Sequence, residues 1–154
     1  MTDILMTRPE ERMRVWRDFR HTLSRDLTDL EQLQAVARFW AGCPQVDYFI
    51  DWDRPEQWQG PWEILHGGHV CPTGLTILML HSLLLSADNR WTEDRIRVRV
   101  VRDREAGYLA VVVADDRWVL NYDIGKVTTV EALERSAATL GTYRHFHGKY
   151  IAAH

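Results

Sequence analysis

One segment constrains the fold of this chain more than any other. Residues 75–85 are apolar on nearly every side of a helix, and they follow Pro72, which suits a first helical turn. A helix that is apolar all round belongs in a membrane or at the centre of a folded domain. Thr76, His81 and Ser82 interrupt this run, and it is too short to cross a bilayer. We therefore predict a central buried helix that other elements must cover.

Two amphipathic helices are expected before the central one. Apolar residues recur at helical spacing from about Pro9 to Ser24. They recur again after Thr28, where Glu31 would complete a capping box, and this second helix should stop at Gly42. The chain between this helix and the central one should hold an extended piece at 46–52, a loop at 53–60 and a helical turn at 61–65.

The sequence after the central helix shows the two-residue alternation of β-strands. Ile96, Val98 and Val100 alternate with arginines, residues 108–113 are β-branched and apolar, and a turn at 114–117 leads into a return strand at 118–122. We predict a last helix over residues 129–140, ended by Gly141, and assign no element to the aromatic and basic tail 142–154. Helices followed by an antiparallel meander indicate one α+β domain over residues 1–154, with an N-terminal helical part at 1–27.

The composition bears on partners and location. The chain has 154 residues, 45% of them apolar, which is enough for one core. A net charge of −3 gives no basic surplus of the kind that nucleic-acid binders show. Cys43 and Cys71 are too few for a disulfide framework, and the first residues lack the pattern of a signal peptide. We expect free thiols, no cofactor, no nucleic-acid or membrane partner, and a cytoplasmic location.

The residue before the central helix is a cysteine. Because Pro72 favours the first turn, Cys71 should lie at the N-cap, where the helix dipole favours negative charge. A thiol at such a place can be activated, because the thiolate is the nucleophilic form. Gly67 and Gly68 lie just before Cys71, and because glycine has no side chain they would allow a close approach of the backbone there. The alternative is that Cys71 is an ordinary small buried residue.

Several segments from Leu30 to Leu120 keep the order and spacing of a known family. They are Val46-Asp47-Tyr48, Trp58-Gln59-Gly60-Pro61-Trp62-Glu63-Ile64-Leu65, Gly67-Gly68-His69-Val70-Cys71, the residues 96–103, Gly107-Tyr108-Leu109-Ala110-Val111 and Trp118-Val119-Leu120-Asn121-Tyr122-Asp123. In these segments the chain resembles the bacterial transglutaminase-like cysteine peptidases of the papain-like superfamily. The resemblance implies N-terminal helices and a buried central helix packed on an antiparallel sheet, with Cys71 in the nucleophile's place.

The chain departs from the family pattern at the residues that do chemistry. The acids around the family's cysteine are replaced by Val70, Pro72 and Thr73. The position of the strand histidine falls at Gly107 or Tyr108, neither of which can act as an imidazole base. The resemblance therefore implies a scaffold without its base, and hence a non-catalytic domain with a binding, assembly or structural role toward a protein partner. Similarly short proteins with this Trp-Glu…Cys layout resemble phage proteins, which points to a virion or accessory protein in the host cytoplasm.

The alternative is a cysteine hydrolase or acyltransferase. Cys71 would be the nucleophile, His69 or a histidine of the tail the base, and Asn121, at the position of the family's acid, the orienting group. His81 lies ten residues along the helix, about 15 Å from Cys71 at the usual helical rise, which is too far for a direct partner.

Metal binding is a weaker interpretation of the same residues. His66, His69 and Cys71 are zinc-ligand residue types, but a fourth ligand at a recognised spacing is missing. The acidic run of Asp47, Asp51, Asp53 and Glu56 is better explained as a solvated loop than as a cation site. We therefore expect no bound metal.

Overall fold

The computed structural model describes residues 4–153, with the side chain of Met6 left out. The ends of the predicted domain, residues 1–3 and 154, lie outside this range. The helical elements are a 3-10 turn at Ile4–Met6, α1 at Pro9–His21, α2 at Asp29–Ala41, a 3-10 turn at Pro55–Gln57, α3 at Pro61–Gly67, α4 at Pro72–Leu84 and α5 at Val130–Ser136. The strands are β1 at Ile96–Asp103, β2 at Gly107–Ala114, β3 at Trp118–Leu120, β4 at Thr128–Thr129, β5 at Ala137–Phe146 and β6 at Lys149–Ala152.

The first two helices follow the sequence prediction closely. Thr28 and Glu31 form the expected capping box: the Glu31 N–H donates to Thr28 Oγ1 at 3.1 Å, and the Thr28 N–H donates to Glu31 Oε1 at 2.9 Å. α1 ends at His21 and not at Ser24, because the Thr22 hydroxyl donates to the Phe19 carbonyl at 2.6 Å and closes the last turn.

All strands pair antiparallel in one six-stranded sheet with the order β4-β3-β2-β1-β5-β6. The three-residue loop between β2 and β3 has positive φ at Asp115 and Asp116, both 53°, and these are the central residues of a tight turn closed by the Arg117 N–H and the Ala114 carbonyl at 3.0 Å. The sheet and the helices before it confirm the predicted α+β class.

The predicted last helix is wrong at residues 137–140, which belong to a strand, and the unassigned tail holds the rest of that strand and a further one. Only Val130–Ser136 is helical, and the chain then continues as β5 into the predicted tail. Strand β5 pairs with β1 from Asp103↔Ala137 to Val98↔Tyr143, and β6 pairs with the end of β5. The free edge of β1 pairs with β5 from Val98 to Asp103, and this tertiary pairing overrides the helix propensity of Ala137 and Ala138.

Helix α4 is the buried central helix that the sequence predicts. Every residue from Thr73 to Leu83 is buried. It packs on β1 and β2 on one side and is covered by α1, α2 and α3 on the other. A second, smaller apolar cluster lies on the opposite face of the sheet, where Leu133 of α5 meets Val101, Val111, Val113 and Val119.

Candidate functional site

Cys71 is the N-cap residue of α4. Its backbone is extended, with φ −96° and ψ 171°, and its sulfur accepts a hydrogen bond from the Gly74 N–H at 3.4 Å. The thiol therefore occupies the place at which a serine or threonine would cap the helix. Gly74 is the third residue of the helix, and an N-cap side chain ordinarily accepts the N–H of the second or third residue.

The thiol is sealed from solvent. Cys71 has 0% of its surface exposed. A Cβ placed on Gly74 would lie 3.5 Å from Ile50 Cδ1, 3.7 Å from Ile64 Cγ2 and 3.8 Å from Cys71 Sγ. The sulfur therefore shares its surroundings with two isoleucine side chains, one from the segment before α3 and one from α3 itself. A substrate could reach it only if these side chains moved.

Asn121 is brought to the first turn of the same helix. Its side-chain amide donates to the Pro72 carbonyl at 3.2 Å and to Thr76 Oγ1 at 2.6 Å. Thr76 in turn donates to the Ala110 carbonyl of β2 at 2.5 Å. Asn121 has φ 65°, a left-handed conformation that asparagine tolerates. Both of its donors are thus engaged in tying α4 to the sheet.

A tyrosine occupies the strand position that the resemblance assigns to a histidine. Tyr108 is 41% exposed, and its ring stacks on Trp52 with 4.2 Å between the ring centroids. The Tyr48 hydroxyl donates to the Tyr108 carbonyl at 3.3 Å. Partial burial, and then the negative charge that Cys71 would carry as a thiolate, raise the pKa of Tyr48. Tyr48, Trp52 and Tyr108 together form an aromatic cover beside the sealed cysteine.

None of the described histidines is hydrogen-bonded to Cys71. His69 and His66 are exposed, and among residues 4–153 no hydrogen bond joins the Cys71 sulfur to an imidazole. Of the three residues suggested for a hydrolase, the structure places Asn121 at the helix start beside Cys71 and leaves His69 unbonded on the surface. Nowhere in the described part of the chain do three or more histidine, cysteine or carboxylate side chains come close enough to hold a metal ion.

Sequence reasoning missed a polar cluster on the far side of α4. His81 Nε2 and the Tyr150 hydroxyl are 3.1 Å apart, and the rings of His81 and His145 meet edge to face at 4.8 Å. His145 Nδ1 lies 3.2 Å from Glu93 Oε1. Burial, and then the charge of His145, lowers the pKa of His81 to about 3. The signal in the sequence was a histidine in an apolar helix, but its partners lay in the tail for which no structure was predicted.

Comparison with known proteins identifies the fold. No family model and no curated protein matches the sequence. Solved structures of Legionella pneumophila LapG do match: the calcium-bound form with a TM-score of 0.69 and 14% identity, covering 92% of this chain and 79% of that chain. A second LapG structure gives 0.68 and 15%, with 85% and 72% covered, and an EGTA-treated one gives 0.67 and 15%, with 92% and 77% covered. This chain has a transglutaminase-like fold. At this identity the likeness extends to the fold alone, so the function must be argued from the chain's own residues.

The N-terminal turn of α4 lies against β2, where Thr76 bonds to the Ala110 carbonyl and Asn121 bonds to Pro72 and Thr76. No helix in the described residues is long and apolar enough to pass through a bilayer.

Proposed function

We propose that this chain is a non-catalytic transglutaminase-like domain whose role is to bind a protein partner. One observation carries the proposal: Cys71 is fully buried, and its sulfur accepts a backbone N–H of its own helix, while no imidazole of residues 4–153 is hydrogen-bonded to it. The scaffold that would present a nucleophile is present, and the described residues place no base in contact with the sulfur.

The chemistry of thiol catalysis explains why the missing base matters. A cysteine nucleophile needs a neighbouring base to take its proton, and such help is worth about 10²–10⁴-fold in rate. The phenol of Tyr108 cannot replace an imidazole, because a neutral phenol has no basic nitrogen to take the proton of the thiol. The Asn121 amide has no imidazole to orient and instead holds Pro72 and Thr76.

The aromatic cover supports a binding role. Tyr48 and Phe49 are 49% and 50% exposed beside Tyr108, and large aromatic side chains are enriched at interface hot spots. The setting that we propose is a phage virion or a phage accessory protein in the host cytoplasm, supported by the chain's length and its Trp-Glu…Cys layout. Mass spectrometry of purified phage particles tests this setting. If the particles contain no peptides of this chain, a role in the virion is excluded.

Cysteine labelling tests the loss of catalysis. In a Cys43→Ser background, native Cys71 should react with iodoacetamide at least about a hundredfold more slowly than in denaturant, since access requires an opening that costs free energy. The matched control is the Cys71→Ser variant, which should show no labelling. Rapid native labelling, together with hydrolysis of an ester or amide substrate that Cys71→Ser abolishes, would overturn the proposal in favour of a cysteine hydrolase.

A further inference from the structure

The segment that covers Cys71 presents an acidic and apolar surface. We call residues 46–53 the cover segment. Val46, Tyr48 and Phe49 are exposed by 45–50%, and three carboxylates lie between and beside them: Asp47, Asp51 and Asp53. Within residues 4–153, none of these carboxylates forms an ion pair or a side-chain hydrogen bond. An apolar surface edged with unpaired acids fits a partner that carries bulky apolar side chains next to cations.

The β5–β6 hairpin of the same chain has that chemistry. Phe146 is 40% exposed and Ile151 is 36% exposed. Lys149 follows the turn and has no ion pair in the described part of the chain, while the Arg144 guanidinium lies 4.8 Å from the Phe146 ring centroid. Arg144 has an exposed partner, Asp94, at 3.3 Å, an arrangement worth little in solvent.

The hairpin is rigid enough to act as a docking element. Its two-residue turn, His147 and Gly148, has φ 47° and 78°. Behind the turn, Tyr150 bonds to His81 of the central helix. A preformed hairpin loses little conformational freedom when it binds, which favours association.

Trp58 places the two surfaces side by side. Its indole N–H donates to the Asp51 carbonyl at 2.7 Å, and its ring meets the Tyr150 ring at 4.9 Å. A groove of about 360 Å³ lies between residues 55–58 and residues 148–151. Two complementary surfaces that are neighbours on one molecule suit a two-fold axis. The acidic cover segment of each copy can then face the basic hairpin of the other.

We propose that the chain forms a two-fold symmetric dimer in which the cover segment of each copy binds the β5–β6 hairpin of the other. This inference rests on the proposed binding role and names the partner as a second copy. Association would hold the cover segment down over Cys71 and would weaken as salt screens the paired charges.

Charge reversal tests the dimer. The acid-reversed variant carries Asp47→Lys and Asp51→Lys, and the base-reversed variant carries Arg144→Glu and Lys149→Glu. Sedimentation equilibrium should give twice the 18.1 kDa chain mass for the wild type and the single chain mass for either variant alone. An equimolar mixture should regain the dimer, because each variant then presents what the other needs. The control variant, Glu10→Lys with Asp26→Lys, makes the same charge change at exposed residues elsewhere and should stay dimeric.

Cross-linking gives a second test that needs no variant. A zero-length carbodiimide should join Lys149 to a carboxylate of the cover segment between isotopically heavy and light copies of the wild-type chain. A monomeric wild type, a dimer that survives both reversals, a mixture that stays monomeric, or a Lys149 linkage found only within one copy would each overturn the proposal. Cys71 labelling on the same samples separates the two proposals: a monomer with an inert cysteine overturns the dimer alone, and a dimer with a reactive cysteine overturns the loss of catalysis alone.

Discussion

The hydroxyl of Ser82 joins three parts of the core. It accepts the indole N–H of Trp16 at 2.9 Å and that of Trp40 at 3.1 Å, and it donates to the Leu78 carbonyl at 2.7 Å. Both tryptophans have 0% exposure, so no water can take the place of the hydroxyl. One oxygen thus links α1 and α2 to the central helix and satisfies two buried donors.

Replacing Ser82 by alanine should destabilise the protein by about 2–6 kcal/mol, because two buried N–H groups would lose their acceptor at about 1–3 kcal/mol each. Denaturant unfolding of the variant measures this loss. The matched control is Ser86→Ala, which removes a buried hydroxyl whose hydrogen bond to Asp88 is long, at 3.5 Å, and should cost about 1 kcal/mol or less. Equal losses in the two variants would contradict the role given to Ser82.

Residues at the candidate site could be predicted from sequence only in part. The position of Cys71 at the helix start could be predicted from the proline after it. Proline is favoured at the first helical position, so the residue before it is the N-cap. The contacts of Asn121 with Pro72 and Thr76 join residues 45 or more positions apart, and no local pattern specifies them. The sealing of the thiol by Ile50 and Ile64 depends on how a loop and a short helix pack, which periodicity does not encode.

At the scale of elements, the β5–β6 hairpin is held on α4 by polar contacts as well as apolar ones. Tyr143 and Tyr150 pack against the main core, and the Tyr150 hydroxyl meets His81, whose other neighbour is His145 with its Glu93 partner. Burial raises the pKa of Tyr150, so it remains a neutral phenol at any ordinary pH. The attachment therefore depends on an uncharged His81.

The stability of the protein should fall as the pH drops below about 6.5. The folded-state pKa of His81 is lowered to about 3, while an unfolded histidine titrates near 6.5. Between these two pH values His81 is protonated in the unfolded chain and neutral in the folded one. The free energy of unfolding therefore decreases by up to about 1.4 kcal/mol for each unit by which the pH falls. His81→Gln should flatten this part of a stability-against-pH curve. His66→Gln, which removes an exposed histidine, should leave its slope unchanged, and a slope equally steep in both variants would exclude His81 as its source.

The boundary between α5 and β5 shows why the end of the chain was harder to predict than its beginning. Helices α1 and α2 are specified by their own caps and apolar faces, which a local pattern contains. Strand β5 exists because β1, nearly forty residues earlier, offers an open edge. The register even shifts between Val100 and Val101, leaving Leu140 as an extra residue that is 52% exposed. A helical pattern in this region was therefore misleading beyond Ser136.

On the scale of the whole molecule, the fold is closed by its last two strands. In the sheet, β5 lies beside β1. Residues 137–152 therefore complete the sheet and also pack over one side of α4. A chain cut after Gly141 would keep all the helices. It would lose the strand partners of Val98 and Arg99 in β1 and would expose His81, which Tyr150 otherwise contacts.

Deleting residues 142–154 should abolish cooperative unfolding, because Tyr143 and Tyr150 leave the core and the edge of β1 opens. Circular dichroism and thermal melts would show retained helix without a sharp transition. The control variant Leu140→Ser alters an exposed side chain of the same strand and should keep the sharp transition. A truncated chain that melts cooperatively near the wild-type temperature would show that the hairpin is an appendage.

The position of β5 also affects the order of events while the protein is being made. The helices and the first strands leave the ribosome before their last neighbours exist, and the most apolar helix of the chain has one flank uncovered until Tyr143 and Tyr150 have been synthesised. The sheet cannot finish forming during most of translation, and non-local strand pairing of this kind is slow. We therefore expect the nascent chain to expose the apolar flank of α4 from the emergence of that helix until residues 143–150 have left the ribosome.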